Sequence, residues 1–361
     1  MPNGLAANPQ TRNEAGGPQS PDWCPPALHY VADSAPGFSR KRLNGAAVYF
    51  DEQGRRIRDK AVIQRINALA IPPAYREVWI CPDPLGHLQA TGRDARGRKQ
   101  YRYHPLWREV RDAAKYERLL AFGNALSRLR RELDQRLRTR QLNRDKVIAA
   151  VILLLDQTCV RVGNQEYARQ NKSYGLTTLR NRHVTLRGDN IRFRFRGKSG
   201  VEHQVSLRHP RLARVLRRCR ELPGQHLFQY LDADGQACSV SSSDINECLR
   251  EMTGADFTAK DYRTWAGSTL ALARLRELTA QGRTPSKQAV AEVVKQVAAE
   301  LGNTPAVCRK CYIHPNILDV YLRGELEQVQ WSAGRARRRW LKPEEVDLIV
   351  FLQSAATTTS G

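Results

Sequence analysis

The run Val147-Ile148-Ala149-Ala150-Val151-Ile152-Leu153-Leu154-Leu155 is the longest apolar stretch in a chain of 361 residues. It falls far short of the ~18 apolar residues that a membrane-spanning helix needs, so it reads as the centre of a protein core that other elements must cover. Just ahead of it, Leu119, Leu120, Leu126, Leu129, Leu133 and Leu137 form an apolar stripe at helical spacing, with Arg and Lys filling the opposite face. The pattern predicts one helix over about 106–140 and a second over about 144–170. With 41% apolar residues the chain can build real cores, and its length suits two domains. Residues 1–22 lack the apolar segment of a secretory signal. A soluble, cytoplasmic protein is expected.

The rest of the chain is organised around that centre. Residues 1–27, rich in Pro, Gly, Asn and Gln, read as a disordered tail. From 28 to 104 the pattern is strand-like, with Ala46–Phe50, Val78–Cys81 and His87–Thr91 separated by turn residues and one helix at about 60–70. After the two long helices, Leu176–Thr178, His183–Leu186, Ile191–Arg196 and Glu202–Ser206 alternate as short strands. Gly188-Asp189-Asn190 and Gly197-Lys198-Ser199-Gly200 have turn composition. Helices are predicted at about 210–221, 243–252, 260–280, 286–301 and 306–322, with Asp232-Ala233-Asp234-Gly235 as a hairpin turn. Residues 326–361 form a C-terminal extension holding the basic run Arg335–Arg339 and an amphipathic stretch at 343–352. The fold class is therefore α+β, with a small β-rich N-terminal domain (28–104) and a mainly helical domain (105–325) carrying one small antiparallel sheet.

Charge narrows the partner. Lys plus Arg exceed Asp plus Glu by 59 to 36, a net +23, and +21 of this falls between residues 91 and 312. So one-sided a zone repels itself unless it faces a polyanion, and duplex nucleic acid is the commonest. The basic residues do not line one face of an amphipathic helix opposite Trp, Phe and Leu, which argues against a membrane surface. The eight cysteines are irregularly spaced and read as reduced thiols. Cys308 and Cys311 lack the second pair that a zinc site requires, and no metal is expected.

Four places break the rule of apolar inside and charge outside. Arg161 closes the apolar helix with Asp156 poorly placed as its partner, so it suits either another carboxylate or an external phosphate. Lys198 sits on a glycine-flanked hairpin tip, where it is either a solvated turn residue or a group that enters a groove. The G-x-x-x-x-G-K-[ST] spacing of a phosphate loop is absent. Arg263 opens a helix, a favourable place for an anion. Tyr312 follows Leu301-Gly302-Asn303-Thr304-Pro305 and the basic pair Arg309 and Lys310; a tyrosine used as a nucleophile needs such positive charge nearby, though a packed core tyrosine fits too.

Taken in order, these residues lie in fragments that resemble the small type IB DNA topoisomerases of poxviruses and bacteria. The fragments are Gly97-Arg98-Lys99-Gln100-Tyr101-Arg102-Tyr103, Val160-Arg161-Val162-Gly163, Tyr174-Gly175-Leu176-Thr177-Thr178-Leu179 with Asn181-Arg182-His183, Gly197-Lys198, Tyr262-Arg263-Thr264-Trp265-Ala266, and Leu301–Pro305, with Asn303 nine residues ahead of Tyr312. The resemblance spans about 28–325. It implies relaxation of supercoiled duplex DNA through a 3′-phosphotyrosyl intermediate on Tyr312, with Arg161, Arg263 and Asn303 clamping the phosphate and Lys198 as general acid. No ATP, metal or other cofactor is implied.

Tyr101, Tyr103 and Tyr167 match positions where the family touches DNA, and Arg98 and Lys99 are expected to bind DNA beside them on a β-rich cap that closes on one side of the duplex. The chain is then expected to clamp DNA as a monomer, associated with the nucleoid, hinged near 104–106. Asn303 stands where poxviral and eukaryotic members carry His, and Asn164 where poxviral members carry a basic residue involved in sequence preference, so the poxviral cleavage motif does not transfer. Tyrosine recombinases share the catalytic set. They usually place His three residues before the second arginine, where this chain has Lys260, and their preceding domain is helical.

Overall fold

A computed structural model describes residues 27–43, 46–95, 97–331 and 339–358. The chain forms two compact units that divide between Lys115 and Tyr116. All but the last residue of the expected tail at 1–27 and most of the Arg335–Arg339 run lie outside the described residues.

The first unit is a five-stranded antiparallel sheet with one helix. Its elements are β1 (Phe38–Leu43), β2 (Ala46–Phe50), α1 (Lys60–Ala68), β3 (Arg76–Ile80), β4 (Leu88–Arg93) and β5 (Lys99–Tyr103), and the sheet order is β2-β1-β3-β4-β5. Tyr49, Ile66, Val78, Ile80 and Ala90 are its buried core. Asp59 starts α1 by accepting from Ala61 N at 2.8 Å and Val62 N at 3.2 Å, satisfying two of the orphan donors at the helix start. Strands β1 and β5 were not anticipated. Both carry Arg or Lys at alternating or adjacent positions, which masks the apolar alternation of a strand with one solvated face.

The long helix α2 (Pro105–Arg138) begins at Pro105, within the segment 104–106 expected to be a joint. Next come α3 (Arg144–Thr158), α4 (Gln165–Asn171), β6 (Val184–Arg187), β7 (Asn190–Arg196), β8 (Glu202–Arg208), α5 (Pro210–Glu221), β9 (Gln229–Leu231) and β10 (Ala237–Ser239). The chain closes with α6 (Ser242–Thr253), α7 (Ala259–Ala280), α8 (Lys287–Leu301), α9 (Pro305–Cys311), α10 (Pro315–Leu322) and α11 (Pro343–Thr358). As the apolar run requires, α3 lies at the centre, with Val147 to Ile152, Leu154 and Leu155 no more than 1% exposed. The stripe Leu119, Leu126, Leu129, Leu133 and Leu137 of α2 is buried in the same core. Strand β7 alternates cleanly: Ile191, Phe193 and Phe195 face inward, whereas Arg192, Arg194 and Arg196 are exposed. The Asp232–Gly235 segment is the hairpin turn between β9 and β10, with Asp232 Oδ1 accepting from Asp234 N and Gln236 N.

Three sequence expectations are corrected. The helix expected over 144–170 stops at Thr158, because Cys159 takes a left-handed φ of 53° and the next residues turn their backbone to another segment. Leu176–Thr178 is a short 3₁₀ turn, not a strand. The helix expected over 306–322 is two helices: α9 ends at Cys311 and α10 restarts at Pro315. A residue before proline is disfavoured in helix, and here His314 caps the new helix, its Nδ1 accepting from Asn316 N at 3.2 Å.

Candidate active site

Both breaks in helical structure fall at candidate residues. Arg161 lies in the loop after α3, and that loop is laced to the Tyr174–Thr178 segment. Leu176 N donates to Arg161 O at 2.9 Å and Thr177 N to Val162 O at 2.7 Å. Gly163, at φ 106°, and Gly175 face each other so closely that a Cβ on Gly175 would stand 2.5 Å from Gly163 Cα and 2.6 Å from Arg161 O. Glycine at 175 thus lets one backbone seat another, which fixes where the Arg161 side chain begins.

Arg263 is on the second turn of α7, whose start is secured by a capping box between Thr258 and Asp261. Its guanidinium is buried. Nη2 donates to Leu301 O at 2.7 Å and Nη1 to Cys159 O, so it satisfies carbonyls at the ends of α8 and α3. Four residues on, Gly267 has room for hydrogen only: a Cβ there would lie 2.5 Å from Tyr312 O and 3.0 Å from Tyr312 Cβ. Ser268 completes the seat by donating from Oγ to Tyr312 O at 3.3 Å and accepting from His314 N at 3.0 Å. One face of α7 therefore carries Arg263 and holds the backbone of Tyr312.

Tyr312 ends α9 with φ −133° and ψ −11°, and its ring lies under Arg263, with Cζ 4.9 Å from the ring centroid. Arg161 also hydrogen-bonds the Tyr312 side chain. Asn303 follows Gly302, whose φ of 60° closes α8. Asn303 N donates to Ala298 O at 2.9 Å, and its Oδ1 accepts from Arg161 Nη2. Burial, together with the charge of Arg263, holds the Arg161 guanidinium below its ordinary pKa, with Tyr312 opposing the shift; arginine keeps its proton regardless. Two buried donors in this cluster, Asn303 Nδ2 and Arg263 Nε, have no hydrogen-bond partner. Unpaired buried donors are costly, and an anion entering the cluster would satisfy them.

Lys198 occupies the turn between β7 and β8, exposed, with Ser199 at φ 63° and Gly200 at φ 81°. Its ammonium has no partner among the described residues. Arg161, Arg263, Asn303 and Tyr312 are thus joined by direct contacts, while Lys198 is not. The sequence reading missed Gly267, Ser268 and His203, the last of which packs beside Gly197 and Gly302. A glycine four residues past an arginine on a helix was the one signal available for Gly267.

In the first unit, Lys99, Tyr101 and Tyr103 lie on the edge strand β5, with Arg98 just before it. Tyr101 and Tyr103 share a face, their ring centroids 6.0 Å apart, and Tyr101 is exposed. Arg98 pairs with Asp94 at 2.6 Å, and Lys99 with Asp33. Tyr167 is on α4, and its side chain lies outside the described residues. Cys308 is buried in α9, where burial pushes its thiol up to about 11.

Comparison with known proteins bears on both units. Residues 104–339 match the family described as eukaryotic DNA topoisomerase I, catalytic core, and residues 47–94 match the bacterial DNA topoisomerase IB N-terminal domain. The chain is 33% identical over 293 residues to DNA topoisomerase 1B of Acanthamoeba polyphaga mimivirus, covering 79% of this chain and 87% of that one. It is 25% identical over 251 residues to DNA topoisomerase 1B of Vaccinia virus (strain Western Reserve), covering 68% and 76%. DNA topoisomerase 1 of Rabbit fibroma virus (strain Kasza) is 24% identical over 250 residues, covering 68% and 75%.

Proposed function

The chain belongs to the type IB DNA topoisomerase family, and on that premise we propose how the four residues of the cluster and Lys198 divide the work. It is an isomerase acting on DNA, relaxing supercoils by cutting and resealing one strand. In our reading the Tyr312 oxygen attacks a backbone phosphorus, its proton passes to water, and the bond to the 5′-oxygen breaks. A 3′-phosphotyrosyl ester and a free 5′-hydroxyl result, and the reverse attack reseals the strand. One phosphodiester replaces another, so the bond energy is kept and the cycle requires neither ATP nor a metal ion.

The observation that carries this reading is the convergence of Arg161 and Arg263 on Tyr312, with Asn303 bonded to Arg161 and two buried donors left unpaired there. Attack places additional negative charge on the non-bridging oxygens, and preorganised donors at that point lower the barrier, each worth ~3–4 kcal/mol in comparable sites. The planar forks of two arginines suit two oxygens. Asn303 adds a neutral donor. Lys198 delivers the proton that the 5′-oxygen needs as it departs. A single copy acts, clamping duplex DNA with help from Arg98, Lys99, Tyr101, Tyr103 and Tyr167, and works on the nucleoid in the cytoplasm.

The test is a covalent one. Incubated with duplex DNA in EDTA without ATP and stopped with SDS, the protein should form a stable adduct and relax plasmids that lack paired recognition sites. Tyr312→Phe should abolish both. Relaxation that survives in Tyr312→Phe would remove Tyr312 as the nucleophile, and activity confined to synapsed sites would favour a recombinase.

A further inference from the structure

Lys198 reaches the cluster by no contact of its own, so something else must set its turn. His203 is the residue in place to do so. It lies on β8 opposite Phe195 of β7, and the two rings stack with centroids 5.1 Å apart and planes 13° from parallel. The other edge of the imidazole is held between two glycines. A Cβ on Gly197 would meet His203 Cδ2 at 2.5 Å and Nε2 at 2.6 Å, and a Cβ on Gly302 would meet His203 Cε1 at 2.9 Å. Gly197 precedes Lys198, and Gly302 precedes Asn303.

One ring thus touches the turn that carries the proton donor and the turn that carries a phosphate ligand. Burial, with Arg161 and Arg263 nearby, holds the imidazole pKa below its ordinary value, so the ring is neutral at physiological pH and adds no repulsion to two cations.

We propose that His203 is a positioning residue for proton delivery: its ring, wedged between Gly197 and Gly302, fixes the Lys198 turn relative to the Arg161, Arg263 and Asn303 phosphate cluster. The proposal deepens the assignment of Lys198 as general acid and rests on it. Aligned donors contribute steeply to rate, and an ångström of misplacement is enough to lose most of the benefit.

The experiment separates leaving groups. Single-turnover cleavage is measured on a labelled duplex whose scissile phosphate carries either the natural 5′-oxygen or a bridging 5′-sulfur. A thiol with pKa ~8.5 departs as thiolate and needs no proton donor. His203→Ala is expected to slow cleavage of the oxygen ester by about 10²-fold yet to cleave the sulfur ester at nearly the wild-type rate. Lys198→Ala should behave alike, and Arg161→Ala should stay slow on both.

Equal slowing of His203→Ala on both substrates, or no slowing on either, overturns the proposal while leaving Lys198 as acid. Failure of the sulfur ester to rescue Lys198→Ala removes the acid assignment and the proposal with it. A second variant guards against a folding defect. Gly197 has φ −94°, which alanine tolerates, so Gly197→Ala perturbs only through its methyl against the ring. It should slow the oxygen ester, and adding His203→Ala should restore part of that loss on a protein with unchanged melting temperature. Strictly additive losses would also overturn the proposal.

Discussion

Gly267 is the residue on which the position of the nucleophile depends most directly. In a helix interior, alanine is favoured over glycine by about 1 kcal/mol, yet a methyl at 267 would stand 2.5 Å from Tyr312 O. Overpacking costs typically ~1–3 kcal/mol, so the two effects nearly offset in stability while Tyr312 is displaced. Gly267→Ala is therefore expected to melt within a few degrees of wild type, to bind DNA normally, and to cleave on the order of 10²-fold more slowly. A wild-type cleavage rate at saturating DNA would show that the Tyr312 backbone has slack. Arg161, Lys198, Arg263 and Tyr312 stood out in the sequence because each is chemically out of place where it stands: a charge at the end of an apolar helix, a lysine on a glycine turn, an arginine opening a helix, a tyrosine behind a basic pair; Asn303 entered only through the family resemblance. Gly267, Ser268 and His203 did not stand out. Their significance lies in what they touch 44 to 99 residues away in sequence, and neither composition nor local periodicity records that.

At the scale of elements, α11 was read as part of an extension, but its Leu348, Ile349, Phe351 and Leu352 lie in the main core of the second unit. Its polar anchor is a buried cluster. Arg130 of α2 pairs with Asp156 of α3 at 2.8 Å and with Glu345 of α11 at 2.6 Å, and Glu345 Oε1 accepts from Trp265 Nε1 of α7 at 3.1 Å. The helix bearing Arg263 is thus braced from behind, two positions from that arginine.

Burial pushes the Glu345 carboxyl up, but the Arg130 hydrogen bonds and charge more than reverse this and hold it below its ordinary value. A carboxyl whose folded pKa is depressed stabilises the fold above its unfolded value, near ~4.3, and loses that contribution as pH falls through the folded value. Glu345→Gln should therefore cost about 3 kcal/mol at pH 7, the low end for breaking a buried pair because Asp156 remains. The gap from wild type should close as the pH drops below about 4, as read by urea unfolding at several pH values. A gap constant with pH would mean that Glu345 acts by shape alone. The long helices were legible from their 3.6-residue period, but the stop at Thr158 was not. Contacts between the Arg161–Gly163 loop and Gly175–Thr177 impose it, in a segment whose local pattern continues as helix. Pro315, by contrast, marked the second break in plain sight.

For the whole molecule, the concentration of +21 between residues 91 and 312 says that DNA affinity is largely electrostatic, but not which cations supply it. The ion pairs divide them. Arg98 and Lys99, proposed to contact DNA, already have Asp94 and Asp33 as partners. Arg192 and Arg194 on the outer face of β7 have no carboxylate partner among the described residues. Their cross-strand neighbours are Thr185, Ser206 and Gln204, all uncharged. A cation that trades a carboxylate for a phosphate releases fewer counterions than one that starts free, because binding must first break its ion pair. The logarithm of affinity against the logarithm of salt falls by about 0.9 for each free cation that neutralises a phosphate.

If the outer face of β7 lies along the duplex, Arg192→Gln with Arg194→Gln should flatten that slope by nearly 2, whereas Arg98→Gln with Lys99→Gln should flatten it by clearly less. Cleavage at saturating DNA and low salt should change little in the β7 pair, since neither arginine touches the Tyr312 cluster. Fluorescence-anisotropy titrations between 50 and 200 mM salt would measure both slopes. A β7 pair with the wild-type slope would place the duplex elsewhere on the basic surface, with α5 and its five arginines as the next face to neutralise.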